Sequence, residues 1–286
     1  MAARLAMGSG CGRTEEPRSR RMYEHIRVER TDDVVTLVLN RPETRNSMTP
    51  AMGEELASAV EEIRKDTSVR VVVLRGSGKA FSSGGDLSML ARDTGLVSGS
   101  EAPTMAGSPR EFYERFLSIA RLPQPTIAAI NGHAIGAGAC LALGCDLRVA
   151  VSTAKIGFTF TRLGIHPGMG ATYFLPRLVG TSTACDLLFS GRILTAEEAL
   201  RLGLVNRVAP PESFDEAVSS WAREIASSAP LAVRLVKRAI YRGAQHSLEE
   251  MLDFESLQQS WTFTTNDARE GLQAMLEKRE ARFRGN

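Results

Sequence analysis

The sequence predicts an α/β core that runs into a helical C-terminal region, and three observations carry that reading. Apolar runs of strand length, Val34–Leu39, Val69–Leu74 and Thr126–Ile130, alternate with segments whose apolar residues recur at helical spacing. Two of these runs lead into glycine-rich breaks, one at Gly84–Gly85 and one spanning Gly132, Gly136 and Gly138. From Ser182 onward the strand signal fades and six consecutive segments read as helices.

Composition sets the outer limits. The 286 residues suffice for one large or two modest domains, and 43% hydrophobic with 24% charged residues is ordinary for a globular chain. A formal net charge of +2 makes no case for nucleic acid as the main partner, and RNA binding as a side role has only that small charge behind it. No apolar run reaches the ~18 residues a membrane span needs, so no membrane partner is expected. The four cysteines (Cys11, Cys140, Cys145, Cys185) lack metal-site spacing, and three sit in apolar or small-residue surroundings. Reduced thiols in a cytoplasmic protein are the expectation, with no metal. Residues 1–21 are rich in Gly, Ser and Arg and lack the apolar core of a secretory signal. They read as a disordered extension or tag, with Met22 as a plausible beginning.

Along the chain, Ile26–Arg30 and Val34–Asn40 read as strands joined by Thr31-Asp32-Asp33. Pro42 stops the second. Thr49 or Ser47 can cap the next helix, Pro50 suits its first turn, and Met52, Leu56, Ala59, Val60 and Ile63 give its apolar stripe. Val69–Leu74 is the next strand, and strand–helix–strand implies a crossover between parallel strands. The break at Gly84–Gly85 leads into helix-compatible Leu87–Arg92. Thr94 to Ser108, rich in Gly, Ser and Pro, reads as a mobile loop. Glu111–Ala120 reads as a helix ended by Pro123 and Pro125. The strand Thr126–Ile130 is followed by glycines that punctuate a turn, then by a helix of small residues at Cys140–Leu143. Asp146–Val151 reads as a strand, Ile156–Phe160 as a short apolar segment, Gly164–Gly170 as a loop and Ala171–Leu178 as a helix. The later helices are Ser182–Ser190, Thr195–Leu202, Ser213–Ser227, Leu231–Gly243, Leu248–Trp261 and Asp267–Phe283, with Thr195-Ala-Glu-Glu198 as a capping-box pattern. So many apolar stripes exceed what one core covers, which predicts an oligomer.

A strand that breaks on glycine and restarts as a helix leaves N–H groups without partners. Two such breaks aimed at one point would form an oxyanion hole, with donors around Gly85 and Ala137. Close helix-on-strand packing is the other use of such glycines. A dinucleotide fingerprint fits poorly, because Gly136-Ala-Gly138 lacks the third spaced glycine and the later acidic residue.

These residues, with their neighbours, resemble the enoyl-CoA hydratase/isomerase (crotonase) family from about Tyr23 to Phe283. The matching pieces are Leu39-Asn-Arg-Pro42 with Asn46, Ala80-Phe-Ser-Ser-Gly-Gly-Asp-Leu87 and Asn131-Gly-His-Ala-Ile-Gly-Ala-Gly138. Cys145-Asp-Leu-Arg148, Leu163-Gly164 with Pro167-Gly168, Leu175-Pro-Arg-Leu-Val-Gly180 and Gly203-Leu-Val-Asn206 follow. Glu270-Gly-Leu-Gln-Ala and Glu277-Lys-Arg279 close the series. The resemblance implies a spiral core of ββα units over residues 22–200 and a helical oligomerisation region over 201–286, assembled as homotrimers or pairs of trimers. It implies an acyl-CoA thioester as ligand, its carbonyl held by the N–H groups of Gly85 and Ala137, with enolate chemistry. Coenzyme A then enters as part of the substrate, with no permanently bound cofactor. Arg45, Lys79, Ser83 and Lys278 fall at positions expected to meet the CoA moiety.

The resemblance also marks departures. The positions of the two glutamates of the family's hydratases are Cys140 and Phe160 here, and a third acidic position of some relatives is Gly168. The expectation is therefore an enzyme of isomerase, decarboxylase or hydrolase type rather than a simple hydratase. His166 is the candidate acid/base, since an imidazole is the side chain suited to proton transfer at neutral pH. Cys140 is a second candidate if a helix N-terminus lowers its thiol pKa. His133 is a weaker one, and Phe158, Phe160 and Met169 read as pocket wall. Asp86 and Asp146 read as structural. The alternative is an acyl-CoA-binding or scaffold protein without catalysis.

Overall fold

The computed structural model describes residues 23–97 and 108–286. The expected extension at 1–21 and most of the expected loop at 94–108 lie outside the described residues. A polar turn with Asp32 in the left-handed region (φ 52°) joins β1 (Ile26–Thr31) to β2 (Val34–Leu39) as an antiparallel hairpin. From there the chain repeats one unit, strand–turn–strand–helix. The units are β3 (Val71–Gly76), β4 (Ala80–Ser82) and α2 (Leu87–Asp93); then, after α3 (Pro109–Phe116), β5 (Thr126–Ile130), β6 (His133–Ile135) and α4 (Ala137–Leu143); then β7 (Leu147–Val151), β8 (Lys155–Gly157) and α5 (Ala171–Val179). In each unit the first strand joins one sheet and the second joins another. With β9 (Ile193–Thr195) and β10 (Arg207–Ala209), the large sheet has the order β1-β2-β3-β5-β7-β10 and the small one β4-β6-β8-β9. This is the ββα spiral that the resemblance implies.

The large sheet is parallel from β2 to β10, and its strands are nearly continuous in apolar residues because both faces are covered. Helix α1 (Pro50–Lys65) covers it through the predicted stripe, and Thr49 caps α1 by accepting the Met52 N–H. The remaining helices are α6 (Thr181–Ser190), α7 (Ala196–Arg201), α8 (Phe214–Ala226), α9 (Pro230–Gly243), α10 (Leu248–Thr262) and α11 (Asn266–Glu277).

Several expectations need correction. The single turn read across Gly132–Gly138 contains β6, and β9 and β10 interrupt the region read as wholly helical. Three-residue strands are too short to display a period. The helix read over 111–120 is α3 followed by a 3-10 turn at Leu117–Arg121. The short apolar segment at 156–160 is divided between β8, which ends at Gly157, and a 3-10 turn at Thr159–Leu163. α11 stops at Glu277, where Lys278 takes a left-handed C-cap (φ 56°), rather than at Phe283. Thr195 caps α7, but Glu198 turns to Arg192, so the second half of that capping box is not made. The full box forms at Ser247 and Glu250 instead.

The C-terminal helices are tied to the spiral through Asp146. Its Oδ2 accepts from the Thr126 N–H (2.7 Å) and from Lys237 Nζ of α9 (2.7 Å), and its Oδ1 accepts from the Tyr241 hydroxyl one turn further on (2.7 Å). Burial and the adjacent carboxylate push the Tyr241 phenol up, so it remains a donor. Asp146 is structural, as expected. Asp146→Ala removes the carboxylate from the largely buried Lys237 ammonium, which keeps only the Gln124 carbonyl (2.9 Å), and leaves the Thr126 N–H without an acceptor. A loss of about 3–5 kcal/mol is expected, read as a lower urea midpoint with an unchanged slope; a loss under about 1 kcal/mol would show that the anchor is dispensable.

Candidate active site

The strands β4, β6 and β8 run parallel in the small sheet. Their carboxyl ends therefore open on one side, and each is followed by a break: Ser83–Asp86, Gly136, and Phe158 with the 3-10 turn. Ligand sites in open parallel sheets form at such ends. Gly84 (φ +92°) and Gly136 (φ +55°, ψ −123°) occupy conformations that side chains resist. A Cβ on Gly84 would lie 2.7 Å from the Ile135 carbonyl oxygen and 3.3 Å from the Ala137 nitrogen. The two breaks thus touch through bare backbone.

The first break is held from the β2–α1 loop. The Met48 N–H donates to the Gly84 oxygen (2.8 Å), and the Asp86 N–H donates to the Met48 oxygen (3.2 Å). This bridge pairs Met48 with Gly85, so the N–H of Gly85 points away from Met48. The Ala137 N–H is the first of α4 and has no intrahelical acceptor. Among the described residues neither N–H donates to a protein acceptor. Two adjacent, unpartnered donors on bare backbone are what an oxyanion hole requires.

Asn46 organises this corner. It is fully buried in a left-handed conformation (φ 55°), accepts from the Arg41 N–H (2.9 Å) and donates to Ser77 and Ala80 oxygens (2.9 Å each). Its carbonyl accepts from Ser82 Oγ (2.8 Å), which in turn accepts from the Gly84 N–H (3.2 Å). Gly138 serves packing instead: a Cβ there would sit 2.6 Å from the Ser82 oxygen. Close approach and donor geometry thus both use the glycine breaks, at different positions.

Asp86 caps α2 through Ser88 and Met89 N–H groups and accepts from Ser47 Oγ (2.8 Å) and Arg41 (3.4 Å). Burial alone would raise its carboxyl, but the Ser88 and Ser47 hydroxyls and the two N–H groups hold it below the ordinary carboxylate value.

The candidate acid/base residues are placed as follows. Cys140 is fully buried one turn into α4, with its own N–H bonded to the Gly136 oxygen (3.1 Å). Desolvation pushes its thiol up, the reverse of the lowered value that a catalytic thiolate needs, and this corrects the expectation of an acid/base or nucleophilic Cys140. His166 is exposed on the loop after β8, with Nδ1 2.7 Å from the Pro167 oxygen. A proton on Nδ1 bonds that carbonyl and leaves Nε2 as the ring's acceptor. His133 Nδ1 accepts from the Lys155 N–H (3.2 Å), which ties its ring to β8. Phe158, Phe160 and Met169, read as pocket wall, are buried in the hydrophobic core. Thr159 lies at the hole, its Oγ1 4.0 Å from where a Gly136 Cβ would be.

Of the residues expected to meet CoA, Arg45 and Ser83 are neighbours: the Ser83 N–H donates to the Arg45 oxygen (2.9 Å) and its hydroxyl to the Thr44 oxygen (3.2 Å). Lys79 is exposed in the β3–β4 turn, which Asn46 bonds to the same loop. Lys278 is exposed at the end of α11, and no hydrogen bond or ion pair among the described residues ties α11 to these three.

The family model for enoyl-CoA hydratase/isomerase matches residues 29–286. The chain belongs to the enoyl-CoA hydratase/isomerase family. It is 37% identical over 262 residues to the crotonyl-CoA hydratase of Syntrophomonas wolfei, covering 91% of this chain and 98% of that protein. It is 36% identical over 265 residues to the 1,2-epoxyphenylacetyl-CoA isomerase of Escherichia coli, covering 92% and 100%. Among solved structures, the enoyl-CoA hydratase from Bacillus anthracis superposes with a TM-score of 0.83 at 38% identity, covering 92% and 100%. A family resting on hydratases and an isomerase shares this scaffold, so the reaction depends on the groups around the hole.

One such group escaped the sequence reading. Tyr113 of α3 stands against Gly168. It is off the Phe112/Phe116 stripe, and only the packing of α3 on the 164–170 loop reveals it.

At pH 7, Asp86→Asn is expected to lose about 1–2 kcal/mol, because one charge-assisted network becomes neutral. The depressed carboxyl adds stability above the unfolded value near 3.9 and loses it as pH falls through the folded value. The gap between wild type and variant should therefore be constant from pH 5 to 7 and close below about pH 4. Thermal denaturation across that range checks the sign; a gap that widens in acid would refute it.

Proposed function

We propose that this chain is an acyl-CoA enzyme that binds a thioester carbonyl between the N–H groups of Gly85 and Ala137 and stabilises the enolate formed there. The observation that carries the reading is the pair of adjacent, unpartnered N–H groups facing a wall that holds no carboxylate at 140, 160 or 168. As a carbonyl becomes an enolate, negative charge moves onto its oxygen. Donors placed in advance strengthen as that happens, and one such donor contributes on the order of 10²–10³ in rate.

The missing carboxylates decide the reaction class. Hydration of a 2-enoyl thioester needs a base to activate water and an acid to protonate the α-carbon. Decarboxylation needs the hole most and a strong base least, since the electron pair arrives from the departing carboxylate. Isomerisation and thioester hydrolysis need one proton-transferring group, and His166 or an ordered water is the proposed one. Arg45, Lys79 and Ser83 form the CoA side of the site, and Lys278 reaches a neighbouring subunit's CoA or its own from the C-terminal helix.

The same reading includes self-association, which the exposed surface of the C-terminal helices supports. Exposed apolar side chains run along α9–α11, with Ile240 at 66%, Trp261 at 51% and Leu276 at 85% exposure. Faces of this kind seek a partner, and a homotrimer or a pair of trimers covers them. Sedimentation should give a mass three or six times 31.0 kDa, and Trp261→Glu with Leu257→Glu should lower it; a monomer at micromolar concentration would refute the assembly.

The catalytic reading is checked with malonyl-, 2-enoyl-, 3-enoyl- and 3-hydroxyacyl-CoA thioesters. At least one is expected to turn over, with 2-enoyl hydration absent, and Ala137→Pro, which removes one donor, should slow it by about 10²–10³. Binding of CoA thioesters with no turnover would leave a binding or scaffold role. No binding would sink the reading.

A further inference from the structure

Tyr113 lies where that chemistry lacks a proton donor. Its helix is fixed by its neighbours: Phe112 and Phe116 stack one turn apart (centroids 4.9 Å), and Phe116 packs on α1 where a Gly53 Cβ would come within 2.9 Å of the ring. Arg115 pairs with Glu54 of α1 (2.9 Å). The Tyr113 ring stands edge-on to Phe112 (6.4 Å, 77°), and its far end lies against the loop after β8. A Cβ on Gly168 would meet the phenol oxygen at 2.5 Å and Cζ at 2.7 Å. The hydroxyl is half-buried, and among the described residues it makes no hydrogen bond. It therefore stands against position 168, one of the three at which the resemblance leads one to expect carboxylates.

We infer that the Tyr113 hydroxyl delivers the proton to the acyl α-carbon of the enolate held by Gly85 and Ala137. This rests on the acyl-CoA reading above. In the step, the phenol O–H bond breaks and a C–H bond forms at the α-carbon. The enolate's electron pair makes that bond, the thioester C=O is restored, and the phenolate takes a proton back from solvent water. Burial pushes the phenol above its ordinary value, so the group stays protonated at neutral pH and serves as donor. A thioester enolate is far more basic at carbon than a phenolate, so the transfer runs downhill. In reverse, the minor phenolate form removes an α-proton and returns a solvent-derived one, so α-proton exchange runs through that form and rises with pH.

The test follows deuterium incorporation from D2O at the α-carbon of hexanoyl-CoA, with binding of the same thioester measured by calorimetry. Wild type is expected to bind and exchange. Tyr113→Phe, which keeps the ring and its packing, should slow exchange by about 10²-fold or more, with affinity within about threefold and an unchanged melting temperature. Gly168→Ala, which keeps the hydroxyl but crowds it out of place, should slow exchange as well. Exchange at the wild-type rate in Tyr113→Phe overturns the inference. Wild type that binds hexanoyl-CoA but does not exchange it also overturns the inference and leaves the acyl-CoA reading standing. Wild type that binds no thioester removes both.

Discussion

The site depends on one contact between two stretches of bare backbone. Gly84 approaches the Ile135 carbonyl and the Ala137 nitrogen so closely that a single methyl would collide with the first and crowd the second. Adjacent strands set β4 beside β6, but strand pairing alone leaves the two breaks free to diverge. The missing side chain lets them close, and the left-handed turn at Gly84 points the next N–H outward. The buried network around Asn46 then keeps them closed, because it satisfies the loop carbonyls that the turn would otherwise strand. Asp86 completes it from the other end, joining the start of α2 to Ser47 and Arg41.

Much of this was legible in the chain. The buried strands, α1 with its Thr49 cap and the two glycine breaks are local features, written in periodicity and turn chemistry. The donors at Gly85 and Ala137 followed from the breaks. The small sheet was not legible: β4, β6, β8 and β9 have three residues each, and they exist because the large sheet supplies one strand of every unit and turns the chain toward the second. The reading of Cys140 failed for a related reason. Its place near a helix start suggested a lowered thiol, but the side chain points into the core, and desolvation outweighs any help from the helix end. Tyr113 escaped notice because its significance lies wholly in a contact with a loop some fifty residues on.

The surroundings of the hole have a physical logic of their own. Cys140, Phe158 and Phe160 are apolar and buried, so the space beside the two N–H groups is poor in competing charge. A hydrogen bond to a developing oxyanion gains strength in such surroundings, since water does not screen it. The same surroundings penalise a carboxylate that has no partner. On the proposed function, an apolar wall and the two N–H donors go together, and they would favour reactions in which negative charge appears on the thioester oxygen rather than on a side chain.

Gly168 and Tyr113 then form a single arrangement. Any side chain at 168 would overlap the phenol, so a carboxylate at that position and Tyr113 in this orientation exclude each other. A neutral hydroxyl tolerates burial far better than an ionised acid does. The loss of acidic groups and the presence of the phenol are therefore one steric and electrostatic choice. On the proposed reading, the donors of this site are neutral, two backbone N–H groups for oxygen and one hydroxyl for carbon.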